Sequence, residues 1–256
     1  MTLKRLAGYG PAFVLAVSLF LLWELVVRAG LIARNLLPTP VSIVRALIDN
    51  WDVISVHTVQ TSLETVIGLI IATLLGLVLA ILLDLSSGLK RAVYPLLITS
   101  QTIPMVALAP LLVIWFGFEL TPKIIVVTLY CFFPIVVACL DGLLSTDPEL
   151  MKLLHSMKAS RWQTLWLVRL PGAMPSFFSG LRIAATYSVT GAIVGEYVAA
   201  QQGLGLYMKT AASSNAIVLV FAAIVITALL SLLLFGLVSL IERIALPWHQ
   251  RLGHKR

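Results

Sequence analysis

The sequence predicts an all-α integral membrane protein of about six transmembrane helices, with both termini on the cytoplasmic side. Residues are 60% hydrophobic and only 11% charged, with a mean hydropathy of +1.02, whereas soluble domains carry roughly 25% charged residues. Six segments, 9–27, 63–83, 93–118, 124–141, 177–200 and 217–241, reach or approach the ~20 apolar residues that a helix needs to cross hydrocarbon. The basic residues set the orientation. With the termini inside, Lys4, Arg5, Lys90, Arg91, Lys152, Lys158, Arg161, Arg169, Arg182, Arg243, Arg251, Lys255 and Arg256 fall on the inner side, against Arg28, Arg34, Arg45, Lys123 and Lys209 outside. Cytoplasmic loops carry such an excess, so topology accounts for the net charge of +7. The basic residues form no patch interleaved with aromatics, which argues against nucleic acid. A water-soluble enzyme and a disordered chain are excluded by composition.

The first span follows Lys4 and Arg5 and could be a signal peptide, but no small-x-small site follows it, so a retained helix fits better. Glu24 and Arg28 stand one turn apart, the spacing of an i,i+4 pair. Thr39-Pro40 reads as an N-cap with proline at the first helical position. Val41, Val44, Leu47, Ile48 and Trp51 then share one face, suited either to the outer membrane surface or to packing against the bundle. Residues 1–57 thus form an N-terminal span plus an external amphipathic helix, 58–246 the main transmembrane domain, and 247–256 a basic cytoplasmic tail.

Within the second span Gly68, Ala72 and Gly76 recur every fourth residue, a small-residue face for close helix contact, internal or between copies. The third span holds Pro95, Pro104 and Pro110. Each removes a backbone donor, and broken helices in membranes commonly line a path. Gln101, Pro104, Tyr130, Phe132, Phe133 and Glu196, from the third, fourth and fifth spans, are the candidate lining residues. Glu24, Glu64 and Glu196 sit in or at the ends of spans, where a carboxylate faces the bundle interior or water. Glu196 is either path-lining or a structural acceptor, while Arg182 reads as an interface anchor. Cys131 and Cys139 are too far apart along one helix for a disulfide. His57, His155, His249 and His254 share no metal-ligand spacing, so no metal and no cofactor is expected.

The loop 142–176 is the longest on the inner side. Asp147-Pro148-Glu149 starts a helix, and Leu150, Leu153, Leu154 and Met157 form one apolar face flanked by Lys152, Lys158 and Arg161. Ser160 and Gln163 are placed for a capping box opening a second helix, which Leu170-Pro171 and Pro175 are expected to stop. Apolar surface held outside the membrane marks a protein partner.

The run DPELMKLLHSMKASRWQTLWLVRLPGAMPSFFSGLR, residues 147–182, resembles the cytoplasmic loop of binding-protein-dependent ABC importer permeases. Aligned on Val168-Arg169-Leu170-Pro171, the family's Glu-Ala-Ala falls on Lys152-Leu153-Leu154 and its turn glycine on Lys158. The second half matches and the first departs. Leu37-Pro38-Thr39-Pro40, Thr61-Ser62-Leu63, Ile103-Pro104 through Trp115-Phe116-Gly117, and Gly195-Glu196 followed by Gly203-Leu204-Gly205 extend the likeness toward the nitrate, sulfonate, taurine and pyrimidine-precursor branch. Cys131-Phe132-Phe133-Pro134, Ala184-Ala185-Thr186-Tyr187-Ser188-Val189 and Gly203 through Met208 resemble permeases for hydroxymethylpyrimidine or thiamine precursors. The resemblance implies a type I ABC importer permease fold in the plasma (inner) membrane, a second copy of this chain, an ABC ATPase dimer on the inner loops and an extracytoplasmic substrate-binding protein. No G-x-x-x-x-G-K-[ST] run occurs, so ATP is expected to be hydrolysed in a partner. An ion-coupled secondary transporter would also use broken helices and buried carboxylates, without needing the apolar inner loop. A membrane-embedded enzyme would need clustered catalytic groups that the sequence lacks.

Single-cysteine labelling tests the orientation: an impermeant thiol reagent added from outside should modify position 209 and miss position 158, and the reverse pattern would invert the assignment.

Overall fold

The computed structural model describes residues 3–33 and 35–247, and Arg34 and the basic tail from residue 248 lie outside the described residues. The described chain is helical: α1 (Leu3–Arg28), α2 (Pro40–Asp49), α3 (Trp51–Leu85), α4 (Ser87–Ser100), α5 (Met105–Phe116), α6 (Leu120–Leu144), α7 (Pro148–Ser156), α8 (Arg161–Thr164), α9 (Leu170–Ala199), α10 (Leu204–Ser213) and α11 (Ile217–Ala245). Among the described residues four stretches are long and apolar enough to cross a membrane: α3, α6, the continuous run Arg161–Val198 and α11. α4 and α5 together make a fifth, bent by 99°.

α6 is the axis of the bundle, with α3 along one side, α9 along another, and α11 packed on α9. Its buried stripe is Val127, Cys131, Ile135, Val136, Cys139, Leu140 and Leu143. Both neighbours meet that stripe with small residues, because bulk there would hold the backbones apart. A Cβ at Gly68 would overlap Val127, and one at Gly76 would lie 2.8 Å from Ile135. From α9, a Cβ at Gly180 would lie 2.7 Å from the Pro134 carbonyl and one at Gly142 of α6 would lie 3.0 Å from Ala173. The small face of α3 is therefore internal packing.

Gly68 meets Val127 and Gly76 meets Ile135, so α3 and α6 run parallel. Parallel neighbours need a crossover, and α4–α5 supplies it, returning the chain from the end of α3 to the start of α6. The sequence predicts one span over 93–118; the structure instead has two helices with the break at Gln101–Pro104. Pro95 and Pro110 are tolerated inside α4 and α5. Pro104 is at the break, where its missing N–H and the bias of Ile103 away from helical ψ fall together.

The stop expected at Leu170-Pro171 does not occur. Residues Leu165–Arg169 form one turn of π-helix, with the Leu170 N–H donating to the Leu165 carbonyl, and α9 continues to Ala199. A helix with i→i−4 bonds would press the Pro171 ring into the preceding turn. Widening that turn to i→i−5 makes room and lets the helix run on. The Thr39 cap, the Asp147 cap and the Ser160–Gln163 capping box form as expected. In α2, Ile43 is buried while Val41, Val44 and Ile48 remain exposed, as does Trp51 at the start of α3.

Replacing Gly68 by leucine should separate α3 from α6 and lower stability by about 1–3 kcal/mol or more, read as a lower melting temperature in detergent, whereas the outward Leu75→Val should leave it unchanged.

Candidate functional site

Polar constellations mark the two ends of this bundle. At the end that carries α10, Glu196 is wholly buried although its helix is otherwise apolar there. The Thr61 hydroxyl donates to Glu196 Oε1 at 2.6 Å and accepts from the Leu204 N–H at 2.9 Å. The Gly205 N–H donates to Glu196 Oε2 at 2.6 Å. The Gly203 N–H donates to His57 Nδ1 at 3.0 Å, and the His57 ring packs on Tyr207. Gly203 has φ +129, and a side chain there would collide with the Glu196 carboxyl. The turn from α9 to α10 is thus clamped onto α3 through backbone donors that would otherwise be buried without acceptors.

Beside it, Glu64 Oε1 accepts from Gln60 at 2.8 Å and faces Lys123 Nζ at 3.3 Å. Lys123 is not an external loop residue, as its position before the fourth span suggests, but a buried member of α6. Removing one partner of such a pair would leave the other charge stranded, a loss of about 3–5 kcal/mol in buried pairs generally.

At the opposite end, Arg169 of the π turn donates to Asp84 at 2.6 Å and to the Leu143 carbonyl at 3.0 Å. One guanidinium therefore joins the ends of α3 and α6 to the start of α9. Arg182, expected as an interface anchor, instead pairs with Glu242 of α11 and also reaches Ser179. A cavity of about 310 Å³ lies between the end of α3 and the α7–α8 loop, with Asp84, His155, Arg161 and Arg169 on its walls. At the bundle's other face, Glu24 and Arg28 pair at 2.5 Å as their spacing predicts, and the second Glu24 oxygen accepts from the Val41 N–H.

The loop residues singled out from sequence share one exposed surface. No residue of α7 is buried. Leu150, Leu153 and Met157 are exposed, the last two by 56% and 70%, together with Lys152, Lys158 and Arg161, while Leu154 is half-buried. The turn after α7 keeps the shape a glycine would favour: Lys158 has φ +56, its N–H donates to the His155 carbonyl, and the Ala159 N–H donates to the Leu154 carbonyl. These two bonds are a Schellman motif. Lysine therefore occupies the left-handed position at a cost of about 1–2 kcal/mol, and the capping box of Ser160 fixes the next helix directly after it.

The candidate path residues divide. Gln101 and Pro104 are exposed at the α4–α5 break, and Tyr130 and Phe132 are half-buried. Phe133 and Glu196 are enclosed by protein. Sequence reasoning missed Asp84, Lys123, Glu242 and the partner of His57. A signal existed for three of them: Asp84 and Arg169, Glu64 and Lys123, and Arg182 and Glu242 are opposite charges beside span ends on one side of the bundle.

Residues 72–244 match the family model described as binding-protein-dependent transport system inner membrane component. The chain is 39% identical over 235 residues to the formylaminopyrimidine transport permease protein ThiX of Halalkalibacterium halodurans, covering 91% of this chain and 93% of that one. It is 31% identical over 243 residues to the taurine transport system permease protein TauC of Escherichia coli, covering 90% and 86%. Among solved structures, the inward-facing MetNI methionine ABC transporter has a similar fold, with a TM-score of 0.66 at 21% identity over 75% of this chain and 95% of that chain.

Glu196→Ala would strand the Gly205 N–H and leave the Thr61 hydroxyl only the His57 carbonyl of its own helix, so it should cost about 1–3 kcal/mol and expose residues 200–203 to protease; Glu196→Gln, which keeps one acceptor, should lose less. Melting and proteolysis of Glu196→Ala indistinguishable from the parent would falsify the clamp.

Proposed function

This chain belongs to the binding-protein-dependent transport system inner membrane components, and from that premise we propose that it imports a pyrimidine-type thiamine precursor as one half of a permease dimer. The coarser statement is plain: it is the non-catalytic, multi-pass permease subunit of an ABC importer in the inner membrane, working with an ATPase and an extracytoplasmic binding protein. The pyrimidine substrate is supported by the likeness to the Halalkalibacterium halodurans formylaminopyrimidine permease, at 39% identity across nearly the whole of both chains.

In our reading the spans number six, with α1, α3, α4–α5, α6, α9 and α11 crossing in turn and both termini inside. The helix ends support this, because the carboxyl end of α1 touches α2, which packs on α11, at the α10 end of the bundle. The α7 end is then cytoplasmic, and the apolar surface of Leu150, Leu153 and Met157 faces the ATPase.

Coupling rests on one observation above the others: the helix that follows this exposed surface is tied through Arg169 to the ends of both α3 and α6. A push on α7 from an ATPase groove would be delivered to three helices rather than absorbed by a loop. Leucine and methionine anchors supply the binding, and Lys152, Lys158 and Arg161 supply orientation and association rate. The lysines at 152 and 158 suit an acidic groove rim. Two copies side by side would place the path between them, bordered by Gln101, Pro104, Tyr130, Phe132 and α9, with alternating access between the two ends. In this scheme α1 and α2 are an outer addition to the transporting core, which begins with α3 at Trp51 rather than at residue 58, because that helix is continuous across the boundary expected from the sequence.

Leu153→Asp should abolish binding-protein-stimulated ATP hydrolysis by the reconstituted complex while leaving the permease folded, since Leu153 is already exposed. Lys152→Ala should reduce it only about two- to threefold, and less at high salt. Normal coupling in Leu153→Asp would remove α7 as the docking element.

A further inference from the structure

Side chains that face outward from the bundle differ sharply between helices. Along α3 the exposed positions from Val53 to Leu82 are valine, leucine and isoleucine throughout. Along α11 those before Arg243 are equally apolar. Such surfaces suit lipid chains. α9 is different: midway along it Thr186, Tyr187 and Thr190 are exposed and lie on one face. Among the described residues the hydroxyls of Tyr187 and Thr190 have no hydrogen-bond partner, and Thr186 bonds only to the Arg182 carbonyl of its own helix. One turn further along the same face, Val194 packs with Ala109 and Leu112 of α5. The stripe therefore begins where the cover of α5 ends, and the α4–α5 break that precedes α5 also exposes Gln101 and Thr102. Hydroxyl and amide groups left unpaired at mid-depth would be costly against lipid, and water or a polar solute relieves that cost.

We infer that Thr186, Tyr187 and Thr190, together with Gln101 and Thr102 of the α4–α5 break, form the surface over which the solute passes, and that it accepts an uncharged heteroaromatic solute rather than a sulfonate. The charge distribution carries the second half. No acidic or basic side chain lies on the stripe, and the neighbouring ones are engaged: Arg182 with Glu242, Lys209 with the Tyr197 carbonyl, and Glu196 within its clamp. An anionic group moving through a low-dielectric passage needs a facing cation. A neutral ring with amino and ring-nitrogen groups needs hydroxyls to bond and an aromatic face to slide on. Thr190, Thr186 and Tyr187 offer both. This inference rests on the pyrimidine reading and adds the residues and charge type to it.

The test uses the permease–ATPase complex in lipid nanodiscs, with cysteine placed singly at 186, 187, 190 or, on α3, at 75. The native Cys131 and Cys139 are buried, so background labelling is low. A charged methanethiosulfonate, whose sulfenyl sulfur is attacked by hydrated thiolate to form a mixed disulfide with release of methanesulfinate, should modify 186, 187 and 190 about tenfold faster than 75. Formylaminopyrimidine at millimolar concentration should slow that reaction, and taurine should not. Equal labelling of position 75, or no labelling of the stripe, overturns the path; protection by taurine, or by neither solute, overturns the neutral-solute surface. Uptake of formylaminopyrimidine by cells carrying the native chain separates the two levels. Its absence with the stripe still labelled sinks the pyrimidine reading alone. In transport assays Thr190→Val and Tyr187→Phe should each raise the apparent KM about two- to tenfold at unchanged complex abundance, and unchanged kinetics in both would overturn the contact.

Discussion

Close approach of α3 and α9 to α6 is the constraint on which the rest of the structure depends. Inside a bilayer, apolar side chains gain little from meeting one another rather than lipid, so helices associate through van der Waals fit. Gly68, Ala72 and Gly76 on one side and Ala173, Gly180 and Ala184 on the other let the branched side chains of α6 fill the space between three backbones. Because α3 and α6 run parallel, the chain must cross the bundle between them. That requirement gives the bent α4–α5 unit its place, and with it a mid-depth break that is exposed rather than packed.

Charged groups then fix the two ends. Lys123 with Glu64, and Glu196 with Thr61 and Gly205, tie α3, α6, α9 and the start of α10 together. Arg169 with Asp84 and the Leu143 carbonyl, and Arg182 with Glu242, do the same at the other end. Each is a contact between helices distant in sequence. In a low-dielectric bundle such bonds specify one register more than they add net stability, and one register is what a transporter needs if movement at the cytoplasmic end is to reach the path.

The π turn at Leu165–Arg169 joins these roles. It lets α8 run into α9 past Pro171, so the helix that follows the exposed α7 surface is continuous with the long span α9. The same turn aims Arg169 at α3 and α6. Lys158 in a left-handed conformation shows how firmly the turn is specified: the Schellman bonds and the capping box on either side outweigh the local preference of lysine.

The sequence by itself determined the class, the spans as apolar stretches and the helix caps, since each follows from composition or from residues within one or two turns of each other. Thr39-Pro40, Asp147-Pro148 and Ser160 with Gln163 act through their own neighbours, so they could be read directly. The Glu24–Arg28 pair was legible for the same reason. Pro171 was misread because a proline's effect depends on whether the turn before it widens, and that is decided by what Arg169 and Leu165 meet across the bundle. The Thr61 partner of Glu196 and the partners of Lys123, Asp84 and His57 lie between 59 and 146 positions away along the chain, and only the packing of α3, α6 and α9 brings them together. The exposed polar side of α9 was equally hidden, because threonine and tyrosine in a span read alike whether they point to lipid, protein or water; which of these they meet is a property of the assembled bundle.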